Sequence, residues 1–305
     1  MNFKGEKILI TGGLGFIGSN LSLRLKKLGA DLTIFDIANG DDIQDYKNLK
    51  KAISQKFDVI FHLAGFSGSK ESNENIEKSF KINTFATISL FELILKYSPT
   101  TKIILSNSRL EYGKPQYLPV DERHPTLPTS AYGLSKLIAA QMALVYHKLN
   151  GFKVTIFRTS NVYGPHPSSK FSGYNIINHF IDIAKSNGIL TIYGDGKQLR
   201  DYIFIDDLVE AFVLAAEKNA SGEIYNLGFG KGISFKDMAK KIIDKTGKGR
   251  LVFEKWPNDY REVETGSYIS GINKIKKELG FLPKTSFDDG IKKTILQSWE
   301  FVHRS

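Results

Sequence analysis

The first half of the chain alternates short apolar runs with longer stretches in which apolar residues recur at helical spacing. KILIT precedes a helical pattern around FIGSNLSLRLKKLG, DLTIFD precedes one around YKNLKKAISQK, and DVIFHLAG precedes a long one that ends at LILKYS. KIILS then begins a fourth apolar run. Strands that alternate with helices are typical of βαβ units. The pattern predicts an α/β fold with a doubly wound, mostly parallel sheet.

The pattern changes in the second half of the chain. KPQYLPVDERHPTLPTS holds four of the nine prolines and has no clear period, so it predicts a loop before the helix AYGLSKLIAAQMALVYHKL. After KVTIFR the elements are shorter and are separated by glycine-rich turns such as YGDGKQ and NLGFGKG. We therefore expect a first domain over residues 1–165 and a second, smaller α/β domain over residues 166–305, with some segments returning to pack on the first.

The size and charge of the chain limit its function. With 305 residues, of which 41% are hydrophobic, the chain can bury a large core. Its formal net charge of +10 favours anionic partners. Nucleic acid is disfavoured, because the lysines are scattered over predicted helices such as KKAISQK and NKIKKE and form no arginine-rich block. Solvated helix faces account for most of the excess charge.

The residue types present also restrict the chemistry. The chain has no cysteine, which excludes disulfides and thiolate metal sites. The six histidines show no spacing typical of a metal site, so we expect no metal. No signal peptide precedes the first strand, and no apolar run approaches the roughly 20 residues that span a bilayer. We expect a soluble, cytoplasmic protein.

TGGLGFIGS lies between the first predicted strand and helix and contains Gly12, Gly15 and Gly18. Glycines at this spacing allow a tight turn and a close approach to a pyrophosphate, which the helix N-terminus also attracts. Asp36 follows the second strand about 20 residues on, where a carboxylate binds an adenosine ribose and repels a 2′-phosphate. The segment predicts a Rossmann-type dinucleotide site that prefers NAD. The alternative is that Asp36 only forms a turn.

Two further polar segments can supply catalytic groups. AYGLSK places Tyr132 and Lys136 four residues apart, and therefore on one face of a helix. A neighbouring ammonium favours the phenolate form of a tyrosine, which can then transfer a proton to or from a sugar or alcohol oxygen. The alternative is that Tyr132 packs in the core and Lys136 is solvated. SNSRLEYG, which follows the strand KIIL, adds two serine hydroxyls at the end of that strand.

The chain resembles the extended short-chain dehydrogenase/reductases, and among them the NAD-dependent nucleotide-sugar epimerase/dehydratase family. TGGLGFIGS, DVIFHLAG, KINTFAT, the serines before EYG, YGLSK, RTSNVYGP and QLRDYIFIDDL occur in that family's order. The resemblance covers nearly the whole chain. It implies that residues 1–165 bind NAD, that residues 166–305 mainly bind a nucleotide sugar, and that the enzyme is a homodimer.

The resemblance also implies individual site residues. The catalytic set would be Ser108, Tyr132 and Lys136. Besides Tyr132 and Lys136, the implied NAD contacts are Gly12, Gly15, Phe16, Ile17, Gly18, Asp36, Asp42, Ile43, Leu63, Ala64, Gly65 and Asn83. The implied substrate contacts are Ser108, Arg109, Asn161, Asn175, Tyr193, Arg200 and Arg261, of which Arg200 and Arg261 would bind the diphosphate. For Arg261 an ordinary surface arginine is an equal alternative. Tyr112 is expected to be structural, and His62 a core histidine.

Several reactions are possible on this fold. The family's 4,6-dehydratases carry an acidic pair directly after the catalytic hydroxyl, whereas this chain has Arg109 and Leu110, so dehydration is disfavoured. Arg109 also departs from the small residues common there. The expected activity is C4 epimerisation of a nucleoside-diphosphate hexose, with a UDP-sugar favoured, through a transient 4-keto sugar. The alternatives are an NAD(P)H-dependent reductase of a 4-keto-6-deoxy sugar and a non-catalytic dinucleotide sensor.

Overall fold

The fold is given by a computed structural model that describes residues 2–165, 175–218 and 220–302. The strands in these ranges are β1 (Lys7–Thr11), β2 (Asp31–Phe35), β3 (Val59–His62), β4 (Lys102–Ser108), β5 (Val154–Thr159), β6 (Asn161–Tyr163), β7 (Ile189–Tyr193), β8 (Leu199–Phe204), β9 (Glu223–Leu227), β10 (Gly232–Ser234) and β11 (Arg250–Glu254). The α-helices are α1 (Phe16–Lys27), α2 (Tyr46–Ile53), α3 (Ser69–Glu74), α4 (Ile76–Phe80), α5 (Ala86–Tyr97), α6 (Ala131–Asn150), α7 (Ile176–Lys185), α8 (Ile205–Glu217), α9 (Phe235–Thr246), α10 (Asn258–Val263), α11 (Asn273–Leu279) and α12 (Phe287–Val302).

The largest sheet has six strands in the order β2-β1-β3-β4-β5-β9, and all neighbouring pairs in it are parallel. The predicted doubly wound α/β fold is therefore confirmed. The chain leaves β1 for β2 on one side and then returns to β3 on the other side. Ligands of such sheets bind beyond the carboxyl ends of the strands at this switch point. The glycine turn directly follows β1, so the predicted dinucleotide site lies there.

Alternation along the strands divides the core between the two faces of the sheet. In β1, Ile8 and Ile10 belong to one buried cluster and Leu9 belongs to the other. Successive side chains of a strand point to opposite faces, so a strand covered by helices on both faces is apolar throughout. The continuous runs KILI and VIFH follow this rule, and their core residues are buried.

The long helix predicted before LILKYS is not continuous. It is divided into α3, α4, a π-helical turn over Lys81–Phe85, and α5. At the first break Asn75 leaves helical geometry, with φ −133° and ψ 58°. The π turn contains the buried Asn83, whose side chain bonds a neighbouring loop instead of solvent. This long-range contact accounts for an irregularity that helical periodicity does not predict.

The segment with four prolines forms no helix or strand between Lys114 and Ser130, as predicted. The Ser130 hydroxyl accepts a hydrogen bond from the Gly133 N–H and thereby caps α6. At the other end, Gly151 takes the left-handed conformation that closes the helix. The Ser130 cap fixes the start of α6, two residues before Tyr132.

Beyond residue 165, four of the described strands belong to two small sheets. One has the order β10-β8-β6, in which β6 comes from before that residue, and the other pairs β11 with β7. Two segments instead join the large sheet: β9 pairs in parallel with β5, and α8 packs on α1 and β4. The domain boundary at residue 165 remains a prediction. Among the described helices, none is long and apolar enough to cross a bilayer.

Candidate active site

The glycine turn after β1 is closely packed on the protein side and open on the other. Gly12 has φ +69°, and a Cβ on it would lie 2.7 Å from the backbone nitrogen of Ala64. A Cβ on Gly18 would overlap the carbonyl oxygen of Gly12. A Cβ on Gly15, by contrast, would meet only the Gly12 oxygen, at 3.4 Å. Gly12 and Gly18 are therefore required by the fold, whereas the space at Gly15 is available to a ligand.

This open space faces the N-terminus of α1. Gly15 is the N-cap residue of α1 and supplies no side chain to bond the first N–H groups of the helix. Such groups attract anions, because the helix dipole adds to their positive end. The turn and helix are therefore suited to the pyrophosphate of a dinucleotide. Phe16 and Ile17 begin the helix and pack partly buried against the core.

Asp36 connects the end of β2 to the glycine turn. One carboxylate oxygen accepts a hydrogen bond from the Leu14 N–H at 2.9 Å, and the other accepts one from the Ala38 N–H at 2.9 Å. The turn-forming interpretation is therefore correct, and it does not exclude ribose binding, because each oxygen keeps a further lone pair. Asp36 lies at the carboxyl end of β2, beside the turn that would hold the pyrophosphate.

Asp42 and Ile43 follow Asp36 in a loop. The Asp42 carboxylate accepts a hydrogen bond from the Gln44 N–H, and the Ile43 side chain is buried in the core. A contact of Ile43 with adenine would therefore have to come mainly from its backbone. The adenine contacts of both residues remain predictions.

Leu63, Ala64 and Gly65 form the turn after β3 and lie against the glycine turn. The side chain of Asn83 holds the following backbone, because its Oδ1 accepts from the Phe66 N–H at 2.8 Å and its Nδ2 donates to the Phe66 carbonyl at 2.9 Å. Asn83 is buried, and it also donates to the hydroxyl of Ser135. Asn83 thus positions this turn against α6, and its direct contact with NAD remains a prediction.

Ser108, Tyr132 and Lys136 meet at the carboxyl edge of the large sheet. Ser108 is the last residue of β4, and its hydroxyl forms a hydrogen bond with the Tyr132 phenol. Lys136 lies one helical turn beyond Tyr132, and its Nζ donates to the Ser106 carbonyl at 3.1 Å. A Cβ on Gly65 would lie 3.4 Å from this Nζ. The three side chains therefore lie beside the predicted dinucleotide site. Lys136 is the member of the cluster next to Gly65.

The surroundings of Tyr132 and Lys136 oppose ionisation in the structure as described. Burial raises the pKa of Tyr132 to about 12, against a smaller lowering by the hydrogen bond from Ser108. Burial lowers the pKa of Lys136 to about 8, and the charge of Glu111 partly opposes this. The phenol is therefore neutral here, and proton abstraction by Tyr132 requires additional positive charge close to its oxygen.

A buried hydrogen-bond network that the sequence pattern did not predict holds Ser108 in place. The Glu111 carboxylate accepts hydrogen bonds from Arg158 Nε at 2.7 Å, from Asn107 Nδ2 at 2.7 Å and from the Ser108 N–H at 3.3 Å. Arg158 also donates to the Tyr112 hydroxyl at 3.0 Å. Glu111 and Arg158 are almost fully buried. The network holds the short 3₁₀ helix Arg109–Tyr112 that starts at Ser108.

Two residues were expected to be structural, and the structure confirms both. Tyr112 is buried, and its hydroxyl donates to Asn226 Oδ1 at 2.7 Å. His62 is buried in β3 with both ring nitrogens hydrogen-bonded, to the hydroxyls of Thr11 at 2.7 Å and Thr87 at 2.9 Å. Burial lowers the pKa of His62 to about 3, so its ring stays neutral near pH 7.

Arg200, predicted to bind the substrate diphosphate, has an internal carboxylate partner. Its Nη2 donates to both oxygens of Glu264, at 2.5 and 2.7 Å, and its Nη1 donates to the carbonyls of Leu199 and Gly266. The side chain is largely buried. To bind a diphosphate, Arg200 would have to bond it in addition to Glu264 or give up its ion pair with Glu264. The diphosphate contact of Arg200 remains a prediction.

Arg109 links the serine to the same region. Its Nη1 donates to the Thr265 hydroxyl at 3.2 Å, and its guanidinium lies over the ring of Tyr268, 5.1 Å from the centroid. The site thus includes residues from segment 264–268 that the sequence did not single out. In the sequence, the residues of this segment were marked only by their position shortly after Arg261, in REVETGSY.

The other predicted substrate residues differ in how closely they join this group. Asn161 donates to the carbonyl of Asp201, next to Arg200. Asn175 caps α7 and donates to the carbonyl of Val162. Tyr193 ends β7, in the separate two-stranded sheet, where its ring packs on that of Trp256. Arg261 is exposed on α10. The substrate contacts of these four residues remain predictions.

Comparison with known proteins gives the same family for the whole fold. The model of the NAD-dependent epimerase/dehydratase family matches residues 8–228. A protein of Methanocaldococcus jannaschii with the provisional name UDP-glucose 4-epimerase is 34% identical over 94% of this chain and 97% of its own length. A dTDP-4-dehydro-6-deoxyglucose reductase of Escherichia coli is 29% identical over 97% of this chain and 98% of its own.

A solved structure supports the same family assignment. The UDP-glucose 4-epimerase of Thermotoga maritima, determined with UDP-glucose, superposes with a TM-score of 0.90 at 26% identity and covers 97% of this chain and 99% of its own. The fold and site define a dinucleotide-dependent enzyme of the extended short-chain dehydrogenase/reductase type. This chain belongs to the NAD-dependent epimerase/dehydratase family.

NAD is the cofactor of this family, and the residues present fit it. The open space at Gly15 and the uncapped N-terminus of α1 suit its pyrophosphate, and the Asp36 carboxylate suits the hydroxyls of its adenosine ribose. Lys136 lies beside Gly65 and would be available to hold the ribose or nicotinamide part of the cofactor.

Replacement of Asp36 tests the preference for NAD over NADP. Asp36→Asn removes the charge and keeps one oxygen, which can accept one of the two backbone hydrogen bonds of the turn. We expect NAD to bind about 10- to 100-fold more weakly, the effect of losing a hydrogen bond to a charged group, while NADP binds no worse. Calorimetric titration with both cofactors measures this. Equal affinity of the unmodified protein for NAD and NADP would contradict the assignment.

Proposed function

We propose that this enzyme is an NAD-dependent nucleotide-sugar epimerase that inverts C4 of a UDP-hexose through a transient 4-keto sugar. The observation that carries the proposal is the cluster of Ser108, Tyr132 and Lys136 at the carboxyl edge of the sheet, next to the glycine turn. A protein that only senses a dinucleotide has no need for these three groups together. Their arrangement therefore favours catalysis over sensing.

Tyr132 is positioned to move the proton of the C4 hydroxyl. Tyr132 is partly exposed, whereas Lys136 is buried. When bound, NAD supplies the hydride acceptor and donor for C4 and, in its oxidised form, a positive charge. A positive charge close to a phenol lowers its pKa, which is the change that Tyr132 requires. Tyr132 then accepts the hydroxyl proton and later returns it.

Ser108 and Lys136 support this proton transfer. The Ser108 hydroxyl forms a hydrogen bond with Tyr132 and can also bond the reacting C4 oxygen, which fixes the donor and acceptor relative to each other. Lys136 carries a charge one helical turn from Tyr132, and its Nζ is held in place by the Ser106 carbonyl. The charge of Lys136 favours the phenolate over the neutral phenol.

A reductase of a 4-keto-6-deoxy sugar is the second candidate. The Escherichia coli relative with that name supports it, and the same three residues could donate a proton to a 4-keto oxygen. Dehydration is disfavoured, because Arg109 and Leu110 follow Ser108 and cannot act as an acid and base pair. A reductase consumes NADH in proportion to product, whereas an epimerase ends each cycle with the cofactor unchanged.

This difference gives the test. The enzyme with at most stoichiometric NAD is incubated with UDP-, GDP-, CDP- and dTDP-hexoses and with UDP-hexuronic acids, and the products are separated by chromatography. We expect a C4 epimer to form over many turnovers without lasting NADH absorbance. If no sugar is epimerised while a 4-keto-6-deoxy sugar oxidises NADH stoichiometrically, the reductase is the correct assignment.

Arg200→Ala tests the proposed diphosphate contact. We expect the affinity for UDP to fall by about 10- to 100-fold, as for the loss of a hydrogen bond to a charged group, with little change for NAD. Glu264→Ala is the matched control, because it breaks the same ion pair but leaves the guanidinium in place. Unchanged UDP affinity in Arg200→Ala, or an equal loss in Glu264→Ala, would contradict direct binding by Arg200.

We further propose that the enzyme is a homodimer. In support, α6 exposes apolar side chains at Leu134, Val145 and Leu149, with the last two one helical turn apart. Exposed apolar side chains on one helix are typical of a surface that is covered by a partner. Light scattering after size-exclusion chromatography measures the mass, and a monomer at micromolar concentration would contradict the dimer.

A further inference from the structure

Arg109 is a buried cation without an anionic partner. The residue is only 9% exposed. Its guanidinium donates one hydrogen bond, to the neutral Thr265 hydroxyl, and lies over the Tyr268 ring. In the described part of the chain no carboxylate lies within ion-pair distance of it. Burial of a charge is costly unless the charge is paired, so a buried arginine without an anionic partner is suited to a ligand that supplies one.

The surroundings of Arg109 contain more positive charge than negative charge. Arg200 lies close enough for its charge to act on Arg109, and Arg200 is already paired in bidentate fashion with Glu264. Burial, together with the charge of Arg200, lowers the pKa of Arg109 to about 10, so the guanidinium still carries its charge near pH 7. The region therefore holds two guanidinium groups and the carboxylate of Glu264, which is bonded to Arg200.

A second buried donor lies in the same place. The hydroxyl of Tyr202 is buried and has no hydrogen-bond partner among the described residues. The charges of Arg200 and Arg109 both act on this hydroxyl. Buried hydroxyls are normally hydrogen-bonded, so one without a partner requires an explanation. A guanidinium without an anionic partner and a phenol without a hydrogen-bond partner, close enough for the charge of one to act on the other, are suited to a bound anion.

The position of Arg109 in the chain indicates which part of the substrate it reaches. Arg109 directly follows Ser108, which is proposed to bind the C4 oxygen of the sugar. In a hexopyranose, C4 is bonded to C3 and C5, whereas C1 with its diphosphate lies across the ring. A group attached to C5 is therefore closer to a residue next to Ser108 than the diphosphate is. In a hexuronic acid that group is a carboxylate.

On the basis of the proposed function, we propose that Arg109 binds a carboxylate carried at C5 of the sugar, and that the preferred substrate is a nucleotide-linked hexuronic acid instead of a neutral hexose. The planar fork of a guanidinium matches a carboxylate and can bond both of its oxygens. Arg109 then selects the substrate and takes no part in proton transfer. Epimerisation at C4 leaves the carboxylate chemically unchanged.

Binding measurements test this inference without turnover. In a Tyr132→Phe background with NAD present, UDP-glucuronic acid, UDP-glucose and UDP are titrated calorimetrically. We expect UDP-glucuronic acid to bind about 10- to 100-fold more tightly than UDP-glucose, the effect of a hydrogen bond between charged groups. Adding Arg109→Gln is expected to remove this difference and to leave the affinity for UDP unchanged.

Arg109→Lys is the conservative control, because it keeps the charge but loses the fork. We expect it to retain part of the preference for the hexuronic acid. The melting temperature and NAD affinity of each variant show whether it is folded. In the enzyme with Tyr132 intact, the ratio of kcat/KM for UDP-glucuronic acid to that for UDP-glucose is expected to fall in Arg109→Gln by the same factor as the binding ratio.

Two results would overturn the inference. Equal binding of UDP-glucuronic acid and UDP-glucose by the protein with Arg109 intact would show that no carboxylate is recognised. An equal loss of affinity for all three ligands in Arg109→Gln would assign Arg109 to the diphosphate. If neither sugar is turned over by the unmodified enzyme, the proposed epimerase activity is wrong, and the binding comparison still decides what Arg109 recognises.

Discussion

Tyr132→Phe is expected to reduce kcat by about 10²- to 10⁴-fold, the usual contribution of a positioned general acid or base. The substitution removes only the phenolic oxygen, which forms a hydrogen bond with Ser108. The aromatic ring and the helix around it are retained, so NAD binding and the melting temperature should be nearly unchanged. Steady-state kinetics and calorimetric NAD titration measure the two effects separately.

Tyr146→Phe is the matched control for this experiment. Tyr146 lies on the same helix, and its hydroxyl donates to the exposed Glu92 at 3.4 Å, away from the proposed site. We expect its kcat to equal that of the unmodified enzyme. Near-normal turnover by Tyr132→Phe would remove Tyr132 from the mechanism. Ser108→Ala should cost less, about 10²- to 10³-fold, the effect of one positioned donor to a developing oxyanion.

Glu111→Ala is expected to lower the free energy of unfolding by about 3 to 5 kcal/mol, because it leaves the Arg158 guanidinium buried and unpaired. In the folded protein the two side chains are 0% and 3% exposed, and their ion pair has a distance of 2.7 Å. The loss also releases the Ser108 N–H and the Asn107 amide. Urea unfolding followed by circular dichroism measures the change.

Glu77→Ala breaks an ion pair of the opposite kind. Both side chains of the Lys81–Glu77 ion pair are exposed. Exposed ion pairs often contribute nothing measurable to the free energy of unfolding. We expect the urea midpoint of Glu77→Ala to match that of the unmodified protein. If Glu111→Ala unfolds at the same urea concentration as Glu77→Ala, the buried network of Glu111 and Arg158 does not stabilise the 3₁₀ helix that follows Ser108.

Local patterns were enough to predict the large sheet and the turn that follows β1. The strand KILIT is covered on both faces, so its side chains are apolar throughout, and the required conformation of Gly12 depends on a turn within the same few residues. Tyr132 and Lys136 could be paired from their spacing because helix geometry alone places them on one face. His62 was assigned to the core because it lies inside an apolar strand.

The contacts that complete the site are not local, and the sequence pattern did not predict them. Arg200 pairs with a carboxylate 64 residues away, and Arg109 donates to a hydroxyl 156 residues away. The break in the helix before α5 likewise depends on Asn83 bonding a loop 17 residues earlier. In each case tertiary packing determines which group the polar side chain bonds. Tertiary packing leaves no periodic pattern in the sequence.

Arg200 shows how such a contact changes an interpretation. From the motif alone its guanidinium was expected to be available for the substrate diphosphate. In the structure its Nη atoms donate to Glu264 and to two backbone carbonyls, whereas Arg109 has a single neutral partner. Before the structure, Arg109 was an implied substrate contact and was unusual at its position, but nothing indicated what it binds. Its burial without an anionic partner is what makes it the stronger candidate for recognition of the substrate.

The fate of the hydrogen at C4 tests the central claim most directly. A UDP-hexose or UDP-hexuronic acid deuterated at C4 is converted by the enzyme with substoichiometric NAD, and the product is analysed by NMR and mass spectrometry. The account predicts the C4 epimer with the deuterium still at C4 and no net NADH. Loss of the label to solvent, or an absence of epimer unless NADH is supplied in proportion to product, would contradict it.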